Sequence, residues 1–137
     1  MQRVVLDTNV VISGLIGKGK PRRILELVFK RRIIVVLSSP TLNEYSNVID
    51  RPKFSRYQDF NRNAANVLKL LQSISLRFEP TIQLKECSDE DDNKFLELAV
   101  EAKANFLITG NLKHFPAKIF HGVQIVSPSE FLSFIEN

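Results

Sequence analysis

The sequence predicts an α/β fold in which helices sandwich a parallel β-sheet. Short apolar runs that are typical of strands alternate with amphipathic segments that are typical of helices, and this order indicates right-handed crossovers between parallel strands. The clearest strand, residues 33–37, is apolar at every position, as expected for a strand that helices cover on both faces. We expect a single domain over residues 1–137.

The composition is that of an ordinary globular domain, with 44% hydrophobic and 25% charged residues. The single cysteine, Cys87, excludes an intramolecular disulfide and is compatible with a reducing compartment. No apolar run approaches the roughly 20 residues of a membrane span, and residues 1–7 are typical of a strand rather than a signal peptide. We therefore expect a cytoplasmic protein with no membrane partner.

The first strand is the apolar run at residues 4–6, and Asp7 or Thr8 can cap the helix that follows it. Three glycines, of which Gly14 is the first, are expected to end this helix. Pro21 then opens a second helix, because proline is favoured in the first helical turn.

The strand at residues 33–37 leads into a third helix, with Ser39 as its N-cap and Pro40 in its first turn. This helix is expected to end at about Ile49. A fourth helix carries an apolar stripe at residues 64–71, and the alternation of apolar and polar residues at 74–78 is typical of an edge strand.

A fifth helix is predicted over residues 88–102, with Ser88 in a capping position. Residues 106–108 and 123–126 provide two further strands, and Pro128 opens the last helix. The apolar stripe of that helix predicts three inward side chains, those of Phe131, Phe134 and Ile135.

Functional sites in open α/β sheets form beyond the carboxyl ends of the strands. The polar residues predicted at this edge are Asp7, Thr8, Asn9, Ser38, Ser39, Glu44, Asp89, Glu90, Asp91, Asp92, Thr109, Asn111 and His114. Glu44 can reach back over the strand end, because helical side chains lean toward the helix N-terminus. The acids of the fifth helix reach this edge only if residues 81–87 return the chain to it.

Carboxylates that cluster repel one another unless they share a cation or a proton. Mg²⁺ takes oxygen ligands, acidifies a bound water and offsets charge on a phosphate, and this chemistry cleaves phosphodiesters. Each acid also has an ordinary interpretation. Asp7 can be an N-cap, Glu44 a surface residue, and Asp89 and Glu90 a negative charge that favours a helix N-terminus.

The net charge of +4 is modest, and its distribution along the chain is more informative. The first basic group is Lys18, Lys20, Arg22, Arg23, Lys30, Arg31 and Arg32, and the second is Arg51, Lys53, Arg56 and Arg62. These side chains can be solvated helix faces. With an acidic site between them, they would instead form a rim that binds a phosphate backbone.

Four segments resemble the motifs of PIN domains, in the order in which that family has them. They are VVLDTN at residues 4–9, TLNEY at 41–45, DEDDNKFLELA at 89–99 and LITGN at 107–111. The segment RPKF at residues 51–54 resembles one found in the toxin components of bacterial and archaeal toxin–antitoxin systems. The resemblance covers nearly the whole chain and implies a sheet of strand order 3-2-1-4-5.

The resemblance also implies an endoribonuclease that uses Mg²⁺ or Mn²⁺ and a metal-activated water to hydrolyse RNA, leaving a 5′-phosphate and a 3′-hydroxyl. It implies a homodimer and a small antitoxin protein that blocks the site. It gives catalytic roles to Asp7, Glu44, Asp92 and Asn111, and the first three of these would be metal ligands. Asp91 is the near alternative to Asp92. The supporting residues would be Thr8, Asn9 and Thr109, and the RNA-binding residues Lys18, Lys20, Arg22, Arg23, Arg51 and Lys53.

The chain departs from the family pattern at Asn111, where many PIN domains have an aspartate. His114 falls where some relatives carry a different aspartate, and it can contact phosphate or water or be an ordinary surface or packed histidine. The number of metal ions, one or two, therefore stays open. A catalytically weak PIN scaffold that binds RNA or a partner is the main alternative. A phosphotransferase with an Asp-x-Asp nucleophile is disfavoured, because Asn9 replaces the second aspartate.

Overall fold

The computed structural model describes residues 1–136 and contains one six-stranded sheet of order β3-β2-β1-β4-β6-β5. The strands are β1 (Arg3–Leu6), β2 (Ile34–Leu37), β3 (Leu76–Arg77), β4 (Phe106–Ile108), β5 (Ile119–Phe120) and β6 (Val123–Val126). All neighbouring strands are parallel except β5, which pairs antiparallel with β6. The carboxyl ends of five strands therefore share one edge of the sheet.

The predicted order 3-2-1-4-5 corresponds to β3-β2-β1-β4-β6, and the fold class is confirmed. The additional strand β5 was not predicted. This strand is only two residues long, and its residue Ile119 is 64% exposed, so the sequence shows no alternation of buried and exposed residues there. A two-residue turn at His121 and Gly122, both with positive φ, joins it to β6 as a tight hairpin.

In the described residues, 1–136, six α-helices cover the sheet: α1 (Thr8–Ile16), α2 (Lys20–Phe29), α3 (Ser39–Ile49), α4 (Phe60–Ile74), α5 (Asn93–Glu101) and α6 (Pro128–Glu136). Helix α5 packs against β1, β2 and β4, whereas α6 packs against β4 and β6. All three residues of β4 are buried although neighbouring side chains point to opposite faces. Helices α5 and α6 therefore cover the two faces of the sheet.

Two helix boundaries in the first half of the chain differ from the prediction. Gly14 lies inside α1 rather than at its end. A Cβ atom at this position would stand 2.6 Å from Leu25 Cδ1 and 3.0 Å from the Pro21 carbonyl oxygen. This glycine therefore allows α1 and α2 to pack closely and does not end a helix. The N-cap of α3 is Ser38 rather than Ser39, and its side chain exchanges hydrogen bonds with Thr41 in a capping box.

Three further predictions need correction. Ile74 ends α4 and does not belong to the edge strand, which is confined to residues 76–77. Phe134 is 51% exposed, although its ring makes an edge-type contact with the ring of Phe106, and Leu132 is buried in its place. The predicted fifth helix begins with a 3-10 turn at Glu90–Asp92, and it is the side chain of Asp89 that caps this turn.

The segment at residues 81–87 runs along α5 and returns the chain to the carboxyl edge of the sheet. Three side chains of α5, spaced four residues apart, accept hydrogen bonds from backbone N–H groups of this segment. Glu101 accepts from Thr81, Glu97 accepts from Leu84 at 2.8 Å, and Asn93 accepts from Cys87 at 3.0 Å. This route delivers Asp89–Asp92 to the end of the sheet where β1 and β4 finish.

None of the helices within residues 1–136 combines the length and the apolar character that crossing a membrane requires.

Candidate functional site

A small pocket of about 160 Å³ opens at the carboxyl ends of β1 and β4. Its lining residues are Asp7, Thr8, Asn9, Glu44, Val48, Arg51, Asp89, Asp91, Asp92, Asn111 and His114. The pocket thus brings together the four residues for which catalytic roles were predicted, from segments far apart in sequence. Thr109, the remaining supporting residue, is buried behind Asp7 and hydrogen-bonds to it.

Asp7 follows the last residue of β1 and is the N-cap of α1. Its Oδ1 atom accepts a hydrogen bond from the backbone N–H of Val10 at 3.0 Å, and its Oδ2 atom accepts one from the Thr109 hydroxyl. Both contacts fix the carboxylate, which is 3% exposed. The capping role and a functional role are therefore compatible in this residue.

Burial raises the pKa of Asp7 from 3.8 to about 6, and the nearby charge of Asp92 adds to this effect. The hydrogen bonds from Thr109 and Val10 act in the opposite direction, because they stabilise the ionised form. Within residues 1–136, no lysine, arginine or histidine forms an ion pair with Asp7. The ionised form of this carboxylate is therefore uncompensated until a cation enters the pocket.

Glu44 reaches the pocket from the second turn of α3, as its position in that helix predicts. The Thr8 hydroxyl donates to one of its carboxylate oxygens, and Lys94 Nζ lies 2.6 Å from the other. The neighbouring residue Tyr45 is fully buried, and its hydroxyl donates to the Leu6 carbonyl oxygen. This contact joins α3 to the end of β1, and Glu44 and Asp7 line the same pocket.

Asp92 lies at the junction between the 3-10 turn and α5. Its Oδ2 atom is 2.9 Å from His114 Nδ1. Burial raises the pKa of Asp92, and the hydrogen bond from His114 opposes this rise. Asp91, the alternative for the third acid, is exposed at the mouth of the pocket, whereas Asp92 is half-buried and close enough to Asp7 to perturb it.

Asn111 also lines the pocket, and its backbone N–H donates to the Thr109 hydroxyl at 2.9 Å. The same hydroxyl donates to Asp7, so that Thr109 connects the end of β4 to the end of β1. Asn9 is an exposed residue at the first turn of α1. The three supporting residues Thr8, Asn9 and Thr109 therefore all lie at the site, two of them bonded to its carboxylates.

The predicted basic residues lie at different places. Arg51 lines the pocket, and Lys53 lines an adjacent groove that shares Asn9 with it. Lys20 and Arg23 are bonded to Ser129 and Glu136 of α6, respectively. Arg22 donates to the Gly17 carbonyl oxygen, and Lys18 is exposed. Of these six side chains, the one at the acidic pocket is therefore Arg51.

Three residues that organise the site were not predicted from the sequence: Lys94, Tyr45 and Asn93. Lys94 pairs with Glu44 across 50 positions of sequence, and Tyr45 bonds Leu6 across 39. Asn93 is buried and ties α5 to Cys87. Tyr45 directly follows Glu44, and Lys94 lies two residues after Asp92. This closeness in sequence to a predicted acid is the signal that could have identified them.

The donor set fits a hard divalent cation. Asp7, Glu44 and Asp92 offer carboxylate oxygens, which Mg²⁺ and Mn²⁺ accept as ligands. Such an ion stabilises the charged form of a buried carboxylate, and Asp7 is a buried carboxylate that forms no ion pair within the described part of the chain. Within residues 1–136, the group of ligand atoms that lie within 4.8 Å of one another belongs to Asp89, Asp92 and His114, and Asp7 and Glu44 are not part of it. A cation shared by Asp7, Glu44 and Asp92 would therefore be held partly through its own water molecules.

Comparison with solved structures shows a shared fold. VapBC2 from Rickettsia felis, solved bound to a DNA fragment from its promoter, aligns over 92% of this chain and 98% of that chain, with a TM-score of 0.58 and 16% identity. PAE2754 from Pyrobaculum aerophilum aligns over 98% of this chain and 90% of that chain, with a TM-score of 0.53 and 14% identity.

Comparison of sequences gives the family. The uncharacterized protein MJ1680 of Methanocaldococcus jannaschii is 38% identical over 110 residues, which are 80% of this chain and 70% of that protein. The sequence model of the PIN domain matches residues 3–113, a range that contains all five carboxylates of the pocket. By this match over most of its length, the chain belongs to the PIN-domain family.

Proposed function

We propose that this protein is an endoribonuclease that hydrolyses RNA with the aid of Mg²⁺ or Mn²⁺. One observation carries the proposal. Asp7, Glu44 and Asp92 come from three distant segments and line one small pocket, where Asp7 is buried and forms no ion pair with any basic residue among residues 1–136. The chain's family is one of nucleases, and its acids lie where parallel-sheet enzymes place their sites.

A bound divalent cation would supply an acidified water and offset the charge that builds on the phosphate. The chain's own residues would orient the carboxylates that hold it. Thr109 and the Val10 N–H fix Asp7, and Thr8 fixes one oxygen of Glu44. Arg51 is exposed at the pocket and is suited to contact a phosphate oxygen of the substrate.

The proposal extends to the biological context. The likeness of residues 51–54 to toxin components, together with the fold shared with VapBC2, supports a role as the toxin of a toxin–antitoxin pair. We accordingly propose a small antitoxin protein as a partner, a homodimer as the assembly and the cytoplasm as the location. An antitoxin that blocks the pocket would have to cover its exposed acids, so a basic segment is the expected point of contact.

The test is cleavage of labelled RNA by the purified chain with Mg²⁺, with Mn²⁺ and with EDTA. Asp7→Asn, Glu44→Gln and Asp92→Asn should each lower the rate by about 100-fold or more, since even residues behind metal ligands are worth 10–100-fold. Glu26→Gln, an exposed acid of α2, is the matched control and should keep full activity. Cleavage that persists in EDTA, or in all three variants, would contradict the proposal.

A second candidate function is a binding scaffold that cuts RNA poorly. Two of the three acids already have a basic partner in the chain, because Lys94 pairs with Glu44 and His114 with Asp92. Such pairs can keep the carboxylates in place without a metal ion. RNA binding that is unaffected by EDTA, combined with no cleavage under any metal, would favour the scaffold.

A further inference from the structure

A groove of about 410 Å³ adjoins the acidic pocket and shares Asn9 with it. The pocket itself measures about 160 Å³, which suits a cation and its waters better than a nucleotide. We propose that the groove binds the nucleotide of the RNA strand that flanks the cleaved phosphodiester bond. This inference rests on the proposed function, because the strand must first place that bond at the acidic pocket.

The wall that α1 gives to the groove is a single helix face. Its residues Asn9, Ile12, Ser13 and Ile16 follow the i, i+3, i+4, i+7 pattern, so they form a stripe that starts at the acidic pocket. The stripe is about 10 Å long, since each helical residue rises about 1.5 Å. Ile12 is buried and Ile16 half-buried, whereas Asn9 and Ser13 are exposed. The groove therefore offers an apolar floor to a base and two polar side chains to the edge of that base.

The other wall of the groove supplies a positive charge. Lys53 and Phe54 come from the 3-10 turn at Pro52–Phe54, and Lys53 Nζ lies 5.1 Å from the centre of the Phe54 ring, a contact that favours an ammonium at this place. Within residues 1–136, neither Lys53 nor Arg51 forms an ion pair with an acid. Arg51 at the pocket and Lys53 at the groove are therefore suited to contact successive phosphates of one strand.

A larger groove of about 600 Å³, formed by residues of the segment 83–97, is less suited to a polyanion. Two carboxylates, those of Glu90 and Glu97, line it beside two lysines, and one of these, Lys94, is already paired with Glu44. The residues that line the Lys53 groove include no acid among the described part of the chain. Charge rather than size therefore selects the Lys53 groove for the RNA strand.

Cleavage kinetics at several salt concentrations test the phosphate contact. The substrate is a labelled single-stranded RNA that the parent protein cuts at one bond in Mn²⁺. Lys53→Gln should raise KM by about threefold or more and change kcat by less than about twofold, because the contact serves binding. It should also reduce the slope of log KM against log salt by about 0.7, the value for one phosphate contact on a single strand. Lys69→Gln removes an exposed lysine of α4 that lines neither cavity, and this matched control should change neither quantity.

Substrates that lack one base test the groove itself. Of two RNAs that lack the base on one or the other side of the cleaved bond, one should show a KM raised by about fivefold or more with the parent protein. Ser13→Phe, a change at an exposed position, should fill the groove, raise KM for intact RNA and no longer distinguish it from that abasic RNA. Ser73→Phe on the exposed side of α4 is the control and should preserve the distinction.

Two results would overturn the groove as a nucleotide site and leave the proposed nuclease intact, provided that the parent protein cuts RNA with Mn²⁺. One is a salt slope that Lys53→Gln leaves unchanged. The other is an equal KM of the parent protein for intact RNA and for both abasic RNAs. A parent protein that cuts no RNA with any metal would overturn the proposed function and this inference together.

Discussion

Asp7 combines burial with a negative charge, and this combination costs stability. Its pKa is about 6 in the folded protein, against 3.8 for an ordinary aspartate. Because the folded state holds the proton more tightly, this residue contributes stability at low pH that is lost as the pH rises through about 6. The metal-free protein is therefore expected to lose stability between pH 4 and pH 7.

Replacement of Asp7 by Asn should stabilise the metal-free protein at pH 7. The shift corresponds to at most about 3 kcal/mol, and we expect a gain of about 1–3 kcal/mol in the free energy of unfolding, shrinking to nearly zero below pH 4. Urea denaturation in the presence of EDTA at several pH values measures it. The exposed Asp50→Asn control should change stability by less than about 0.5 kcal/mol at each pH. A loss of stability at pH 7 in Asp7→Asn would contradict this account of the residue.

Lys94 is a built-in counter-cation for Glu44, and it competes with a metal ion for the same carboxylate. The two side chains are both partly buried, with Lys94 Nζ at 2.6 Å from Glu44 Oε1. Lys94→Met should therefore raise the affinity for Mn²⁺ by a few-fold, since removal of a nearby positive charge favours the ion. Lys94→Arg, which keeps the charge, is the control. Isothermal titration calorimetry in which Lys94→Met binds Mn²⁺ more weakly than the parent protein would refute the competition.

Helices α1 and α2 pack closely together where Gly14 faces Leu25. Gly14→Ala would gain about 1 kcal/mol of helix propensity but would place a methyl group 2.6 Å from Leu25 Cδ1 and 3.0 Å from a backbone oxygen. Overpacking of this kind costs about 1–3 kcal/mol, so the net change should be a loss of stability.

Chemical denaturation of Gly14→Ala beside Gly19→Ala measures that loss. Gly19 has room for a Cβ atom, because its nearest neighbour would be the Pro21 Cδ atom at 4.0 Å. We expect Gly19→Ala to stay within about 0.5 kcal/mol of the parent protein. Equal or greater stability of Gly14→Ala would show that α1 and α2 can separate freely at this point.

At the level of elements, apolar periodicity and capping residues were enough to predict most of the strands and helices from the sequence. The strands β1, β2, β4 and β6 consist mostly of apolar residues, and the α-helices of the described chain carry buried apolar residues, so these elements were predicted. The strand β5 could not be found, because two residues form no period and their pairing depends on a turn. The exposure of Phe134 depends on which helices surround α6, which local sequence does not record.

At the level of the whole molecule, the convergence of the acids was predictable because parallel strands end at one edge of the sheet. Asp7 follows β1 directly and Glu44 lies in the second turn of the helix that follows β2, so the topology is enough to bring both acids to one pocket. The partners Lys94 and His114 were not predictable in these roles. Their side chains meet Glu44 and Asp92 through tertiary packing, across 50 and 22 positions of sequence.

The central claim is that Asp7, Glu44 and Asp92 share a divalent cation. Anomalous diffraction from a crystal of the full chain soaked in Mn²⁺ tests it most directly, because the ion identifies its own ligands. The account predicts a peak bounded by Asp7 and Asp92 with Glu44 beside it. An empty pocket at saturating Mn²⁺, or peaks confined to other parts of the surface, would contradict the account.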